Sequence, residues 1–258
     1  MPNDLAGLRV VITRPPHQSA DLQHQLEQAG ARPLLFPLLA IDRPANPSAA
    51  QQALTRLQDY DLLIFISPNA VQHALALLPD GLPNNLTLAC VGRGTARALQ
   101  EQGGRSPDLM PQQGHDSEAL LALPDLQAEQ IHGKSVLIVR GEGGREKLAT
   151  SLRARDAQVE YAEVYRRLKP ANDPETLLGP LRRGEIDIIS LSSSEALTNL
   201  LEIGQNEQEI LQHTPLVVFH QRIADAARQR GFSGPILVCE QPGDQGLLDT
   251  LRHWRHAE

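Results

Sequence analysis

Val10-Val-Ile-Thr-Arg14 recurs 126 residues later as Val136-Leu-Ile-Val-Arg140, which indicates that the chain contains one segment twice. Further pairs align at the same offset without a gap: Leu22 with Leu148, Leu26 with Leu152, Ala31 with Ala157, Asp61 with Asp187, Ser67 with Ser193, Ala70 with Ala196 and Leu75 with Leu201. The offset then becomes 128, as in Ala96 with Ala224, Gly103 with Gly231 and Asp116 with Asp244. Because one copy is far longer than a solenoid repeat, the duplication predicts two similar domains that face each other across a cleft.

Composition and charge limit the possible function classes. The chain has 258 residues, of which 41% are hydrophobic, and this is enough for two cores of about 100 to 130 residues each. The formal net charge of -7 argues against a nucleic acid or an anionic membrane as the main partner, since both attract a basic surface.

Targeting and cysteine signals indicate a cytoplasmic protein. The start Met1-Pro-Asn-Asp4 lacks the basic and apolar regions of a signal peptide, and no apolar stretch reaches the roughly 18 residues of a membrane span. Cys90 and Cys239 lie in apolar runs that the repeat does not equate. We therefore interpret them as small buried hydrophobic residues rather than as a disulfide or a metal-binding pair.

Short β-rich apolar runs alternate with amphipathic helical patterns. One helix is predicted over residues 20–29, where Leu22 and Leu26 share a face and Gly30 supplies a C-terminal stop. The predicted strands are Arg9 to Thr13, Leu62 to Ser67, Leu86 to Val91, Ser135 to Arg140, Ile186 to Ser192, Leu216 to Phe219 and Ile236 to Cys239. This alternation predicts an α/β fold in which helices cover both faces of a parallel sheet, as in Rossmann and flavodoxin-like domains.

Two repeat-equivalent stretches, 32–43 and 158–170, break this rhythm. Pro33 and Pro37 in the first stretch remove hydrogen-bond donors, which suits an edge strand or a connector. In the second stretch, strict alternation places Tyr161 and Tyr165 on one face, and neither face is a clean core face. We therefore predict that the two stretches are a pair of linking strands between the domains.

Common catalytic signatures are missing from the sequence. It has no Gly-x-x-x-x-Gly-Lys-Ser/Thr loop, no His-Glu-x-x-His, no Cys-x-x-Cys and no Gly-x-Ser-x-Gly. Gly92-Arg-Gly94 opens like a dinucleotide fingerprint, but Arg97 stands where a third glycine is needed. The nine histidines lack metal-ligand spacing, so the residues predict neither a metal site nor a nucleotide cofactor.

Polar turns stand where the predicted strands end and helices begin. They are 13–16, 67–70, 91–95, 140–145 and 192–195, and four arginines lie in them: Arg14, Arg93, Arg140 and Arg145. Arg166 and Arg167 lie on the second linking strand. Helix N-termini and arginine forks both favour carboxylates. Each turn taken alone is better explained by helix capping, and each arginine taken alone by a solvated surface, but together they favour a polyanionic ligand.

At these residues the chain resembles the uroporphyrinogen-III synthase family. The resemblance is carried by Val11-Ile-Thr-Arg-Pro15, Phe36-Pro-Leu-Leu-Ala-Ile41, Phe65-Ile-Ser-Pro-Asn-Ala-Val71, Ala89-Cys-Val-Gly-Arg-Gly-Thr-Ala96, Leu137-Ile-Val-Arg-Gly141 with Gly144-Arg145, and Val164-Tyr-Arg166. No single motif is specific, but the series covers nearly the whole chain in the order of the family. One departure is Phe219-His-Gln-Arg222, where many members carry a Gly-Pro-Thr-Thr-like turn. Arg222 is the candidate replacement for the contacts of that turn.

The resemblance implies two α/β domains joined by a two-stranded β-ladder, the first formed by 1–37 and 167–258 and the second by 38–166. It also implies a lyase of porphyrin biosynthesis that needs no cofactor and acts on hydroxymethylbilane, a linear tetrapyrrole carrying eight carboxylates. Loss of the hydroxyl as water gives an azafulvene, and closure through a spiro intermediate inverts ring D to give uroporphyrinogen III. The protein must donate a proton, hold the carboxylates and prevent closure to the symmetric isomer.

Within this expectation, Tyr165 is the candidate proton donor, and a tyrosine that only packs is an equally weighted alternative. Tyr161 is a weaker candidate. The candidate substrate-binding residues are Arg14, Ser67, Asn69, Ala70, Gly92, Arg93, Thr95, Arg140, Arg145, Ser193, Ser194 and Arg222. We interpret the hydroxyl residues among them as carboxylate contacts rather than nucleophiles, because no histidine and acid accompany them in the motifs.

Two rival functions share the expected architecture. The first is a hinged two-domain binding module for an anionic small molecule, and the second is a nucleotide-sugar transferase. The transferase would need a clear diphosphate glycine loop and an acidic ribose contact, and neither is convincing in this sequence. Nothing in the sequence requires an oligomer, so we expect a monomer. Direct hand-off of substrate from the bilane-forming enzyme stays open.

Overall fold

The computed structural model describes residues 4–114 and 116–257, and it divides the chain into two compact units. Unit 1 is Met1–Ala40 with Leu168–Glu258, and unit 2 is Ile41–Arg167. The sequence placed the changes of domain after residues 37 and 166. Residues 1–3, which contributed to the expectation of no signal peptide, lie outside the described residues.

Strands and helices alternate in both units, as the sequence predicts. The strands are β1 (Arg9–Ile12), β2 (Arg32–Leu35), β3 (Ala40–Asp42), β4 (Leu62–Phe65), β5 (Thr87–Cys90), β6 (Ser135–Gly141), β7 (Gln158–Leu168), β8 (Ile188–Leu191), β9 (Leu216–Val218) and β10 (Ile236–Val238). The α-helices are α1 (Ala20–Gln28), α2 (Pro47–Thr55), α3 (Pro68–Leu75), α4 (Arg93–Gly103), α5 (Ser117–Leu121), α6 (Ala128–Ile131), α7 (Lys147–Arg153), α8 (Glu175–Arg182), α9 (Ser194–Ile203), α10 (Gln208–His213), α11 (Gln221–Gln229) and α12 (Asp244–Ala257).

Unit 1 contains a parallel sheet in the order β10-β9-β8-β1-β2, which is the flavodoxin-like order. Side chains alternate between the two faces of each strand, so Val11 and Ile189 enter one core cluster while Val10 and Ile188 enter the other. Helices α8 to α11 cover the first face, and α1 and α12 cover the second. Unit 1 is therefore a three-layer α/β domain.

Unit 2 has the same architecture, with strands in the order β3-β7-β6-β4-β5. The four strands from β7 to β5 are parallel. Leu63 and Leu137 face a core covered by α2, α3 and α4, whereas Ile64 and Ile138 face a core covered by α5, α6 and α7. Both units thus confirm the predicted doubly wound α/β class.

The two sheets share one pairing register, which confirms the duplication. β1 pairs with β8 at Val10 and Ile188, and the repeat-equivalent β6 pairs with β4 at Val136 and Leu62. The same correspondence relates β1–β2 to β6–β7 and β8–β9 to β4–β5. Each unit therefore combines the first half of one copy with the second half of the other.

The chain passes between the units in β3 and in β7, and these strands are neighbours in the sheet of unit 2. Asp42 Oδ2 lies 3.1 Å from Arg166 Nη2 across this pair. The first linking strand is shorter than predicted, because Arg32–Leu35 is β2 and pairs with β1 inside unit 1. Pro33 is tolerated there since β2 is an edge strand, and Phe36 is buried in the core that follows.

A β-bulge in β7 corrects the predicted alternation of its side chains. The pairing of β7 with β6 shifts between Arg140 and Gly141, so Val164 is an extra residue. Tyr161 consequently packs against the core under α5, α6 and α7, whereas Tyr165 lies in the core under α2, α3 and α4. The expectation that the two tyrosines share one face is therefore wrong.

In each unit, an aspartate that precedes an inner strand accepts a hydrogen bond from the first backbone amide of the neighbouring strand. Asp187 accepts hydrogen bonds from the Arg9 amide at 2.7 Å and from Arg9 Nε at 3.0 Å. Asp61 accepts the equivalent bond from the Ser135 amide at 2.8 Å and one from Lys134 Nζ at 3.4 Å. Burial raises the pKa of Asp187, but the hydrogen bonds and charge of Arg9 outweigh it and hold that pKa below the usual aspartate range.

We expect Asp187→Asn to lower the free energy of unfolding at neutral pH by about 1–2 kcal/mol, because an amide has no charge and accepts fewer hydrogen bonds from Arg9. The pKa of Asp187 is lowered in the folded state. Its contribution is therefore present above the ordinary aspartate pKa and is lost as the pH falls through the lowered folded value. Urea unfolding of wild type and variant at pH 7 and at acidic pH measures this change.

Asp61→Asn is the matched control for that variant. Asp61 occupies the repeat-equivalent position and keeps the backbone hydrogen bond, but its cation is an exposed lysine rather than Arg9. Its loss of unfolding free energy should be smaller. An equal loss in both variants, or an effect of Asp187→Asn that does not shrink at low pH, would contradict the role of the Arg9 pair.

Candidate functional site

The expected site residues lie near the carboxyl ends of parallel strands, and each unit groups its own set. Unit 2 places Ser67, Asn69, Ala70, Gly92, Arg93, Thr95, Arg140, Arg145 and Tyr165 after or near the ends of β4, β5, β6 and β7. Unit 1 places Arg14, Ser193, Ser194 and Arg222 after β1, β8 and β9. Because parallel neighbours end at the same edge of a sheet, each unit has one polar edge of this kind.

Ser67 begins helix α3 and connects it to Tyr165. Ser67 Oγ accepts a hydrogen bond from the Ala70 amide at 3.1 Å, as a helix N-cap does. The same oxygen lies 3.1 Å from Tyr165 Oη, and either hydroxyl can donate. Asn69 is half-buried in the first turn. The cap binds the Ala70 amide, and Ala70 is fully buried. The substrate contact expected of Ala70 stays a prediction.

Tyr165 is enclosed within unit 2 rather than exposed on a linking strand. It is 1% exposed, and its ring packs on Gly141, where an added Cβ would lie 2.6 Å from Cε2 and Cζ. The centroid of the His73 ring lies 5.7 Å away, and Arg167 Cζ lies 6.0 Å from the tyrosine centroid. The hydroxyl is connected to the strand edge through Ser67, which is half-buried.

The end of β5 places an arginine at the start of a helix. Gly92 is the N-cap of α4, Arg93 is its exposed first residue, and the buried Thr95 donates its amide to the Gly92 carbonyl at 3.1 Å. A Cβ on Gly94 would lie 3.9 Å from Pro68 Cγ, so α3 and α4 begin side by side. Two helix N-termini therefore lie near Arg93, and this arrangement favours an anion.

Arg140 is buried, in contrast to the expected open position at a strand end. Its side chain is 4% exposed, and Nη1 lies 2.9 Å from Glu146 Oε1 while Nε lies 3.4 Å from Glu163 Oε1. Nη2 donates to the Gly144 carbonyl at 2.9 Å. The guanidinium is thus held inside the turn after β6, and its placement favours shaping that turn over binding a substrate carboxylate. Arg145, in the same turn, is exposed.

Sequence reasoning missed the cluster that surrounds Arg140. Tyr161 Oη donates to Glu146 Oε2 at 2.7 Å, and Arg140 Cζ lies 4.2 Å from the centroid of the Tyr161 ring. Burial and the hydrogen bond to Glu146 raise the pKa of Tyr161, so its proton is held more firmly. The glutamate at 146, one residue beyond the polar turn, was the available signal.

Arg14 of unit 1 is fixed beside the start of α12. Its Nη2 lies 2.5 Å from Asp244 Oδ1, and its guanidinium carbon lies 5.6 Å from the centroid of the Phe219 ring. The side chain is 16% exposed. Phe219 belongs to the turn that departs from the family pattern, and the structure gives it a packing role that the sequence did not predict.

The ends of β8 and β9 add hydroxyl and cationic groups to this edge. Ser193 caps α9 as Ser67 caps α3, since its Oγ accepts from the Ala196 amide at 3.1 Å. Ser194 is the exposed first residue of α9, and Arg222 is exposed in the first turn of α11. Burial and the charge of Arg222 lower the pKa of the neighbouring His220. Arg222 therefore supplies the positive charge of this turn near neutral pH.

Within residues 4–114 and 116–257, no group of three or more His, Cys, Asp or Glu side chains is arranged to hold a metal ion. Cys90 and Cys239 are buried, as predicted, and burial raises the pKa of Cys90 to about 12. Among the helices that the structure describes, none combines the length and the apolar character needed to cross a membrane.

Known proteins match the chain over most of its length. The family model described as uroporphyrinogen-III synthase HemD matches residues 20–249. The uroporphyrinogen-III synthase of Escherichia coli is 31% identical over 250 residues, which cover 95% of this chain and 100% of the relative. That of Proteus mirabilis is 38% identical over 164 residues, which cover 62% of this chain and 81% of the relative.

Solved structures share the fold. A mutant uroporphyrinogen III synthase from Thermus thermophilus has a TM-score of 0.65 at 24% identity, over 98% of this chain and 100% of that chain. The Helicobacter pylori enzyme has a TM-score of 0.56 at 17% identity, over 94% of this chain and 97% of that chain. At these identities the likeness concerns the fold, whereas the family rests on the sequence matches. By those matches, the chain belongs to the uroporphyrinogen-III synthase family.

Proposed function

We propose that this chain catalyses the reaction of its family, in which hydroxymethylbilane loses water and closes with inversion of ring D to give uroporphyrinogen III for porphyrin and haem biosynthesis. The observation that carries this proposal is the match with the uroporphyrinogen-III synthase of Escherichia coli, which spans 100% of that enzyme and 95% of this chain. The carbon chemistry belongs to the substrate, so a lyase that uses no cofactor is sufficient.

The polar strand edges support binding of a polycarboxylate. Arg93 and Arg222 are exposed in the first turns of helices, where amides and the helix dipole also favour anions. Arg145 is exposed in the turn before α7, and Arg14 lies at the start of α12. We assign substrate carboxylates to these four arginines, and we assign Arg140 to shaping its turn. Further contacts are assigned to Ser67, Asn69, Gly92, Thr95, Ser193 and Ser194.

We assign the proton donor to the hydroxyl pair of Tyr165 and Ser67. The departing hydroxyl of the substrate takes the Ser67 proton and leaves as water, and Tyr165, 3.1 Å from Ser67 Oγ, reprotonates the serine. The resulting tyrosinate regains a proton when ring closure releases one from a pyrrole carbon. Ser67 is needed in this order of proton transfers because the Tyr165 ring is enclosed.

The direct test supplies the purified protein with freshly generated hydroxymethylbilane and separates the oxidised products by isomer. We expect the type III isomer well above the spontaneous background, which gives the symmetric isomer. A type III fraction equal to that background would overturn the proposed function. Saturable binding of hydroxymethylbilane without turnover would instead support the hinged binding module.

Tyr165→Phe should lower the rate of type III formation about 100-fold or more, because it removes the hydroxyl that supplies the proton. The phenylalanine ring still fills the site beside Gly141, so the fold should be retained. Initial rates at saturating substrate measure the effect, and thermal unfolding checks the fold. Unchanged turnover would leave Tyr165 as a packing residue.

Ser67→Ala tests the relay, and Ser193→Ala is its matched control. Each variant removes a helix N-cap, so each should lower the free energy of unfolding by about 1 kcal/mol. Ser67→Ala should in addition reproduce the kcat loss of Tyr165→Phe, whereas Ser193→Ala should raise KM with little change in kcat. Equal effects on kcat would contradict a relay through Ser67.

Arg93→Gln should raise KM about 10-fold with kcat nearly unchanged, because it removes one charge-assisted contact with a substrate carboxylate. Arg97→Gln is the control, since Arg97 lies one turn further along α4 and pairs with Glu101 at 2.7 Å. Its KM should stay close to that of wild type. The same KM increase in both variants would indicate a general effect of net charge rather than a contact at Arg93.

We further propose that the enzyme is a cytoplasmic monomer. Among the residues that the structure describes, the exposed large hydrophobic side chains are Leu168 and Ile210, which are 37% and 38% exposed. The described surface therefore has no extensive apolar patch for an interface. The two unpaired cysteines fit a reducing compartment. Sedimentation at micromolar concentration tests the monomer, and cross-linking to the bilane-forming enzyme during turnover tests direct hand-off of substrate.

A further inference from the structure

Arg140 and Gly141, the last two residues of β6, face opposite sides of the sheet of unit 2. Arg140 lies on the side of Tyr161, whose ring centroid is 4.2 Å from its guanidinium carbon. Gly141 is paired with Tyr165 and supports the ring of that residue, since an added Cβ would lie 2.6 Å from Cε2. The end of β6 therefore contacts both tyrosines of β7, one on each face.

The guanidinium of Arg140 holds the turn that follows β6. Nε donates to the Gly141 carbonyl at 3.2 Å, Nη2 to the Gly144 carbonyl at 2.9 Å and Nη1 to the Arg145 carbonyl at 3.5 Å. Gly144 packs on the guanidinium so closely that a Cβ there would lie 3.3 Å from Cζ. One side chain thus binds three carbonyls of one turn. The position of the turn, including Gly141, therefore depends on where the guanidinium is held.

Two carboxylates and the Tyr161 ring surround that guanidinium. Glu146 Oε1 lies 2.9 Å from Nη1, and Glu163 Oε1 lies 3.4 Å from Nε. Tyr161 Oη donates to the other oxygen of Glu146 at 2.7 Å, so this carboxylate is bound from two sides. The hydrogen bonds from Tyr161 and Arg140 lower the pKa of Glu146, which is therefore ionised near neutral pH. Because an unpaired buried arginine is costly, these contacts fix Arg140 in one place.

The repeat shows that the fold of a unit does not require this cluster. Unit 1 keeps the arginine but neither partner, as the equivalent positions show: Arg14 for Arg140, Ala20 for Glu146 and Leu35 for Tyr161. Arg14 binds Asp244 instead and is more exposed than Arg140. Both sheets nevertheless keep the same strand register. The cluster is therefore a property of unit 2, the unit that also contains the hydroxyl pair of Ser67 and Tyr165.

We propose that Glu146 and Tyr161 are positioning residues for the proton donor. Through Arg140 they fix the end of β6, against which the Tyr165 ring packs. That packing keeps the tyrosine hydroxyl 3.1 Å from Ser67 Oγ, where it can reprotonate the serine. Neither positioning residue is assigned to the substrate, so both act through Arg140. This role rests on the proposed function, because the donor belongs to that reaction.

Glu146→Ala, which introduces the residue of unit 1, should lower kcat for type III formation about 10-fold, because the donor is displaced from its hydrogen-bond partner. Glu146→Gln should lose less, since its amide can accept from Arg140 and donate to Tyr161 Oη. Glu118→Ala is the matched control: Glu118 is also an exposed glutamate, but it pairs with Lys147 at 2.9 Å. Its kcat should stay close to that of wild type. Wild-type kcat in Glu146→Ala, or the same loss in both alanine variants, would overturn the positioning role.

A double-mutant cycle separates positioning of the donor from a general loss of stability. In the Tyr165→Phe background no hydroxyl is left to position, so Glu146→Ala should lower kcat less than about 2-fold there. Tyr161→Phe, which keeps the ring beside Arg140 but loses the hydrogen bond to Glu146, is the second variant for the cycle and should show the same dependence on background. Thermal unfolding checks that each variant is folded. An undiminished loss of kcat in the Tyr165→Phe background would show that the effect does not pass through Tyr165.

Tyrosine NMR signals test the same contact without turnover. The tyrosines of the chain are Tyr60, Tyr161 and Tyr165, so isotopic labelling at Cζ of the full-length protein gives three signals, and Tyr165→Phe assigns one of them. Glu146→Ala should shift or broaden the Tyr165 signal, whereas Glu118→Ala should leave it unchanged. An unchanged Tyr165 signal in Glu146→Ala would overturn the positioning role even where wild type forms the type III isomer. A changed signal in a protein that forms no type III isomer would instead overturn the proposed function and leave the contact through β6 intact.

Discussion

Parallel pairing between strands of different repeat copies is the constraint on which the rest of the structure depends. β1 of the first copy pairs with β8 of the second, and β6 of the second copy pairs with β4 of the first at the equivalent register. Neither copy can complete a sheet alone, because its inner strands belong to different units. The same pairing aligns the carboxyl ends of strands that are distant in sequence, which is why Arg14 and Ser193 share one edge and Ser67 and Arg140 share another.

The repeat made most of this architecture predictable, because equal offsets preserve both side-chain alternation and pairing register. The two helix caps illustrate this predictability. The repeat aligns Ser67 with Ser193, and each serine accepts an amide hydrogen bond at 3.1 Å. The bulge in β7 was not predictable in the same way. A single extra residue leaves the composition of a strand unchanged, yet it moves Tyr165 to the other face. Gly141 was the local signal, since any larger residue would meet the tyrosine ring.

Whether a strand-end arginine is exposed depends on interaction partners that a local sequence pattern does not show. Arg14 and Arg140 are equivalent in the repeat, but their side chains are 16% and 4% exposed. Arg140 is enclosed by two carboxylates and a glycine carbonyl, whereas Arg14 meets one aspartate far away in sequence. The sequence therefore predicts that positive charge stands at the edge of the sheet. It does not predict how much of that charge the protein itself neutralises, and this decides which arginine is open to a ligand.

Divergence between the copies assigns different chemistry to equivalent positions on one backbone. Residue 165 corresponds to Leu39 in the repeat, and Leu39 is a buried core residue of unit 1, so the hydroxyl pair belongs to unit 2. At the amino edge the copies also differ, since unit 1 has Arg32 at the start of β2 where unit 2 has Gln158 at the start of β7. Backbone hydrogen bonds and buried alternating side chains maintain both sheets, so edge side chains can change without disturbing the register. A duplicated parallel sheet therefore allows equivalent edges of the two units to carry different side chains on the same backbone.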